Sequence, residues 1–245
     1  MNGWDILLVA VVSLQATALA YLRAPRWKAL AFTFPFPFTI LALSMDRPLG
    51  AAHMLALSLV FVFIHCVRLV HQQAKVPILP AIALGVLVYA SLGWFGARWL
   101  PDTATAFWVA SALVIGFGAI AYLKIPGRTE PGHRTLLPLW KKLPLIVLIV
   151  FFLVQLKPIL QGFATLFPMI GILVSYEARH SLWTIGRQMP VLILTMGPLM
   201  VTVYLLQSRL GLPLGLACGW VIFLAILIPF TRRQWAASSI EPSLK

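Results

Sequence analysis

Between short basic and proline-bearing segments, this chain is written in apolar runs of 17–23 residues. The hydrocarbon core of a bilayer is about 30 Å thick and is crossed by roughly 20 helical residues. In lipid every backbone polar group must be paired internally, which leaves only helices and closed barrels. A barrel needs short strands of alternating polarity, and these runs are continuous. Composition agrees: with 61% hydrophobic and 10% charged residues and a mean hydropathy of +0.94, a soluble domain of 245 residues could not bury its own apolar surface. The expected fold class is an all-α polytopic membrane protein.

The runs divide into nine expected transmembrane helices, over about 4–22, 29–45, 51–73, 78–99, 106–123, 138–156, 159–176, 186–207 and 211–230. The stretch 143–176 is too long for one span. It is divided at "LKPILQG", where Pro158 removes a backbone donor and Lys157 and Gln161 favour an interface; a single tilted, kinked helix is the alternative. Charge favours the division. With the N-terminus outside, 15 of the 19 lysines and arginines fall on inner segments and only Arg47, Arg98, Lys157 and Arg209 outside. Undivided, the stretch would put Arg179, Arg187, Arg232, Arg233 and Lys245 outside, against the positive-inside rule. The N-terminal run lacks a basic n-region and carries Asp5, so it reads as a retained span, not a cleaved signal. The net charge of +13 is scattered between apolar runs, which argues against nucleic acid as a partner. Cys66 and Cys218 lie inside apolar runs, and no disulfide framework is implied.

A shift of 131 residues places Phe32 on Phe163, Phe36 on Phe167, Pro37 on Pro168, Ser44 on Ser175 and Asp46 on Glu177. The same shift lays spans one to four on spans six to nine. Span five is left as a linker, and an odd offset reverses direction. The expected organisation is a first four-helix repeat (1–105), a linker helix with a basic loop (106–137), an inverted second repeat (138–230) and a cytoplasmic tail (231–245). Inverted repeats recur in transporters, whose sites lie near the midplane on discontinuous helices. A scaffold descended from a dual-topology ancestor would carry the same duplication.

The second half, Leu143 to Pro229, carries "LFPMIGILVSY", then a charged turn, then "LILTMGPLMVTVYLL" and "GLPLGLACGWVIFLAILI". In this it resembles the GlpM-like family of small four-helix bacterial inner-membrane proteins. There a Leu-Phe-Pro leads through an apolar run to a polar turn with an acidic residue, and a His-Tyr stands where this chain has Ser175-Tyr176. The first half shares only Phe36-Pro37. The resemblance implies a bacterial inner-membrane location and a link to envelope polysaccharide or glycerol-phosphate physiology.

The candidate substrate-binding residues follow from the duplication and from polarity within spans. Pro37 and Pro168 kink helices and free carbonyls, with Phe36 and Phe167 as adjacent walls; packing kinks are the simpler reading. Ser175 and Glu177, with Ser44 and Asp46, end the paired spans on opposite sides, as gate residues or as ordinary polar helix ends. In "FIHCVRLVHQQAK", His65, Arg68 and Gln72 share one helical face. His65 offers a proton carrier and Arg68 an anion ligand, or Arg68 snorkels to the interface with His65 bonded in the bundle. Lys157 is an anion attractant or an interfacial anchor. Trp4, Trp27, Trp99, Trp140, Trp183 and Trp235 read as an aromatic belt.

None of the six acidic residues falls at a span centre, so a carboxylate relay is disfavoured. There is no His-Glu-x-x-His, phosphate-binding glycine loop or nucleophile elbow. His53 and His65 share one helix, which disfavours haem, and the last span has no central lysine for retinal. No catalytic residue, metal or cofactor is expected, and an enzyme is disfavoured. The expected function is an inner-membrane transporter or flippase-like carrier of a small or lipid-linked anionic solute by alternating access. The alternative is a non-catalytic membrane subunit that scaffolds an envelope-synthesis or respiratory complex. A third reading is a transferase using His65 and Glu177. Expected partners are membrane lipids, with a membrane-protein partner or a homo-oligomer left open. The N-terminus is expected outside and the C-terminus in the cytoplasm.

Overall fold

In a computed structural model, residues 3–45, 48–128, 130–132 and 159–239 are described, with isolated positions between 144 and 155. The described residues contain helices and no strand. Among the described residues, six helices are long and apolar enough to cross a membrane: Gly3–Tyr21, Pro25–Met45, Ala51–Gln73, Ile78–Trp99, Ala104–Lys124 and Leu182–Trp235. The chain is an all-α protein whose helices suit a multi-pass membrane fold.

This differs from the nine expected spans for three reasons. Most of span 138–156, with the Lys157-Pro158 turn, Trp140, Asp46 and Arg47, lies outside the described residues. Span 159–176 is not one helix. And the last two spans, expected as 186–207 and 211–230, are two helical arms of Leu182–Ser239 that meet at the non-helical Gly211, so they count once among the six; the second arm runs past the expected end at 230.

Local chemistry explains the element ends. Helix α1 (Gly3–Tyr21) is followed by α2 (Pro25–Thr33), which starts with Pro25 in its first turn, where the missing N–H costs nothing. It stops at Phe34, held extended (φ −67°, ψ 122°) because Pro35 follows and excludes the helical region. Helix α3 (Phe36–Met45) then resumes the same span. Helix α4 (Ala51–Arg68) begins with the Gly50 N–H donating to His53 Nδ1 (3.1 Å) and loosens into a π-turn, Leu69–Gln73. Helix α5 (Ile78–Trp99) ends at Leu100 before Pro101. Helix α6 (Ala104–Lys124) starts with the Ala106 N–H donating to Thr103 Oγ1 and ends at Ile125 before Pro126. A 3-10 turn (Gln161–Leu166) precedes α7 (Met169–Glu177) and α8 (Leu182–Ser239).

A straight helix of α8's length would run about 87 Å at 1.5 Å per residue. Gly211 prevents that, with φ 79° and ψ 164° in the middle of the element, a conformation that glycine reaches without strain. Beyond it the chain folds back. A Cβ at Gly219 would lie 3.1 Å from the Leu199 carbonyl oxygen and 3.0 Å from Val203 Cγ2, so the two arms pack closely through small residues. Gln207 fixes the far end of the first arm by exchanging two hydrogen bonds with the Leu49 backbone (2.8 and 3.1 Å).

Helix α4 is the centre of the bundle. Met54, Leu57, Phe63, Ile64 and Val67 are fully buried between α5, α6, the first arm of α8 and the 3-10 turn. Outward faces carry Leu14, Leu87, Leu113, Leu123 and Val221 in the open, the apolar surface that a membrane-embedded bundle turns to lipid.

Candidate functional site

Two segments of the bundle are broken at a Phe–Pro step. The first break is Phe34–Pro35; the second is Phe167–Pro168, where the 3-10 turn ends and α7 starts. The breaks do not align under the 131-residue shift, because the first falls two residues ahead of Phe36–Pro37. Pro37 itself sits in the first turn of α3, a position that tolerates proline.

Each break frees backbone carbonyls, and each is supplied with a donor from a neighbouring helix. Gln15 of α1, itself buried, donates through Nε2 to the carbonyls of Ala31 (2.9 Å) and Phe34 (3.1 Å). Tyr89 of α5, fully buried, donates its hydroxyl to the Phe163 carbonyl (2.8 Å). The Thr165 hydroxyl donates to the Gly162 carbonyl (2.7 Å). In hydrocarbon an unpaired carbonyl costs several kcal/mol, so these side chains are what makes the broken geometry tenable.

The two broken segments meet. Pro35, Pro37 and Thr33 of one, with Phe167, Pro168 and Thr165 of the other, line a cavity of about 60 Å³, to which Met196 also contributes. They also run in opposite directions. Pro25–Met45 passes from the Arg26 end of the bundle to the end where Met45, His53, Asp102 and Gln161 line a second cavity of about 120 Å³. The other segment starts at Gln161 in that cavity and finishes at Glu177, whose carbonyl accepts from Lys28 Nζ (2.9 Å). Lys28 is 1% exposed, so a lysine ammonium is buried where the entry to one broken segment touches the exit of the other.

A third cavity, of about 200 Å³, opens at the Arg26 end, lined by Arg26, Arg128, Glu130, Arg187, Gln188 and Trp235. Gln188 belongs to this cavity, and its Nε2 donates to the hydroxyl of Thr33 (3.0 Å), which lines the central one. The Thr33–Gln188 hydrogen bond therefore stands between the two spaces.

The other candidates lie apart from the central cavity. Phe36 is 43% exposed, with rings of Phe34 (5.6 Å) and Trp220 (5.2 Å) beside it. His65 is set in the contact of α4 with α8: its ring stacks on Phe61 (3.9 Å), Nδ1 lies 3.0 Å from the Phe61 carbonyl oxygen, and a Cβ at Gly186 would be 3.3 Å from Nε2. Arg68 lies over the Trp183 ring at 4.5 Å. Ser175 is fully buried, its hydroxyl without a hydrogen-bond partner. Of the eight candidate residues, Pro37, Phe167 and Pro168 come together. No group of three or more metal-ligating side chains gathers among the described residues.

Trp183 is more than a belt residue. Its ring receives Arg128 at 4.0 Å as well as Arg68, and its Nε1 donates to the Pro126 carbonyl (3.0 Å). Glu130 caps the start of α8, accepting from the Trp183 N–H (3.3 Å), the Thr184 N–H (2.6 Å) and the Thr184 hydroxyl (2.7 Å). A carboxylate there satisfies free donors and complements the helix dipole. Glu130→Ala is expected to lower stability by about 1–2 kcal/mol, read as an earlier thermal transition in detergent. An unchanged transition would show that the cap carries no weight. Sequence reasoning did not single out Gln15, Lys28, Thr33, Tyr89, Glu130 or Gln188. For Gln15 and Tyr89 the signal was present: a polar group alone inside an apolar span.

No family model, curated protein or solved structure matches the chain.

Proposed function

We propose that this chain is a carrier of a small or lipid-linked anionic solute, working by alternating access about its two broken segments. The observation that carries the reading is the meeting of two oppositely directed, Phe–Pro-broken segments at one cavity, with a further cavity at each end of the bundle. Discontinuous helices that cross near the midplane are a recurring device of secondary transporters. The 131-residue shift agrees with this reading for whole spans, while the two breaks themselves stand two residues out of its register; two inverted halves can exchange conformations and open opposite ends in turn. On this reading the chain lies in a bacterial inner membrane with its N-terminus outside and its basic end in the cytoplasm, where the positive-inside rule puts it. The likeness to the GlpM-like family points to cargo of the cell envelope.

The Thr33–Gln188 hydrogen bond closes the central cavity towards the basic end, and opening requires that it break. The test is flux. Purified protein in proteoliposomes, offered a broad panel of envelope precursors and small organic anions, is expected to move at least one of them faster than protein-free vesicles. Movement of none would remove the reading. A stoichiometric membrane partner recovered in that case would favour the scaffolding alternative.

A further inference from the structure

We infer that the cleft at the Arg26 end binds a phosphate group, carried by a lipid head group or by a free phosphate anion. The cleft brings three guanidinium groups, Arg26, Arg128 and Arg187, to a space of about 200 Å³ with a single carboxylate, Glu130. That carboxylate is committed to the start of α8, where its two oxygens accept three hydrogen bonds. The side chains lining the space therefore leave an excess of two positive charges. None of the three arginines makes an ion pair or a side-chain hydrogen bond among the described residues.

The guanidinium groups are also held in place. Arg128 lies over Trp183 at 4.0 Å and Arg26 over Trp235 at 5.9 Å. Stacking on an aromatic face immobilises a guanidinium while leaving its N–H edge for an anion. Arg187 rests against the Gly127 backbone so closely that a Cβ there would come within 2.8 Å of its Nη1. A neighbouring cavity of about 120 Å³ shares Arg187 and Gln234 and adds Arg233, which gives room for the substituent that a phosphate ester carries. Planar, preset N–H forks match phosphate oxygens in pairs, and three of them around one space form a receptor for that group. A resident lipid would occupy the cleft equally well in a chain that carries nothing, so this inference goes beyond the carrier reading. Its test reads binding, not flux, and either can fail alone.

The experiment has two arms. Delipidated full-length protein in a neutral detergent is dialysed against radiolabelled inorganic phosphate. The same protein, taken from mixed nanodiscs of phosphatidylglycerol and phosphatidylcholine, is examined by native mass spectrometry. Saturable phosphate binding that weakens about tenfold or more in Arg187→Gln and in Arg128→Gln, but not in Arg98→Gln at the opposite end, supports the site. Phosphatidylglycerol retained over phosphatidylcholine, and released by the same two substitutions, assigns the phosphate to a head group; phosphate binding without lipid retention assigns it to a free anion. If Arg187→Gln does not fold, the exposed Arg128 is read in its place. Absence of binding in both arms, or binding indifferent to the substitutions, overturns the inference.

Discussion

Lys28→Met is expected to lower the stability of the chain by about 2–3 kcal/mol, the largest stability effect of any single polar substitution considered. Lys28 is 1% exposed and gives its ammonium to the Glu177 carbonyl at 2.9 Å across 149 residues of sequence. A hydrogen bond made by a charged donor contributes about 1.5–3 kcal/mol, and its loss strands a buried acceptor. The acceptor is the Glu177 main-chain carbonyl, and the residue that carries it is itself buried. Glu177→Gln keeps the main-chain carbonyl that accepts from Lys28, so the account further predicts that it costs less than Lys28→Met. Thermal and urea unfolding in detergent would measure both. A Lys28→Met chain as stable as the parent, or a Glu177→Gln chain destabilised as much as Lys28→Met, would show that this contact is not what holds the two segments together.

The second large effect is on activity. Thr33 and Gln188, replaced by cysteines in a chain whose Cys66 and Cys218 are alanine, can be joined by a short bifunctional thiol reagent across the wall that their 3.0 Å hydrogen bond now forms. Both side chains are buried, yet Gln188 lines the open basic cleft, which gives the reagent its route. Flux of the carried solute is expected to fall at least roughly tenfold on linking, equivalent to about 1.4 kcal/mol on the barrier. It should return when a reducible linker is cleaved. Undiminished flux in a chain shown by mass spectrometry to be linked would place the moving parts elsewhere. The comparison is internal, one protein before and after linkage, so folding differences between variants do not enter.

The apolar periods of the sequence foretold helices of membrane-crossing length, and they lie where expected for the first five spans. The broken character of two segments was also legible, because proline at a Phe–Pro step excludes the helical region for the residue before it. Which proline does the breaking was not. Pro35 and Pro37 are both compatible with a helix start, and the choice depends on Gln15, a residue of another helix that supplies hydrogen bonds to Ala31 and Phe34. The same limit applies to Lys28. In "PRWKALAF" it reads as an interfacial lysine, and only tertiary packing against Glu177 turns it inward. His65 and Arg68 share a helical face in sequence, yet the structure divides them between Phe61 and Trp183, because side-chain stacking decides what each touches. The division of the C-terminal apolar stretch into two spans is legible because the arms are separated at Gly211, where one residue at φ 79° turns the chain back on itself.

The central claim is that the two Phe–Pro-broken segments cross the membrane in opposite senses and meet between its faces. It is tested most directly by labelling single cysteines in a chain free of Cys66 and Cys218. One cysteine replaces Pro48, just beyond α3; the other replaces His180, just beyond α7. Both positions are exposed. With a membrane-impermeant maleimide applied to intact cells or sealed right-side-out vesicles, the account predicts that Pro48→Cys labels from outside, and that His180→Cys labels only after the membrane is opened. Labelling of both from the same side would contradict it.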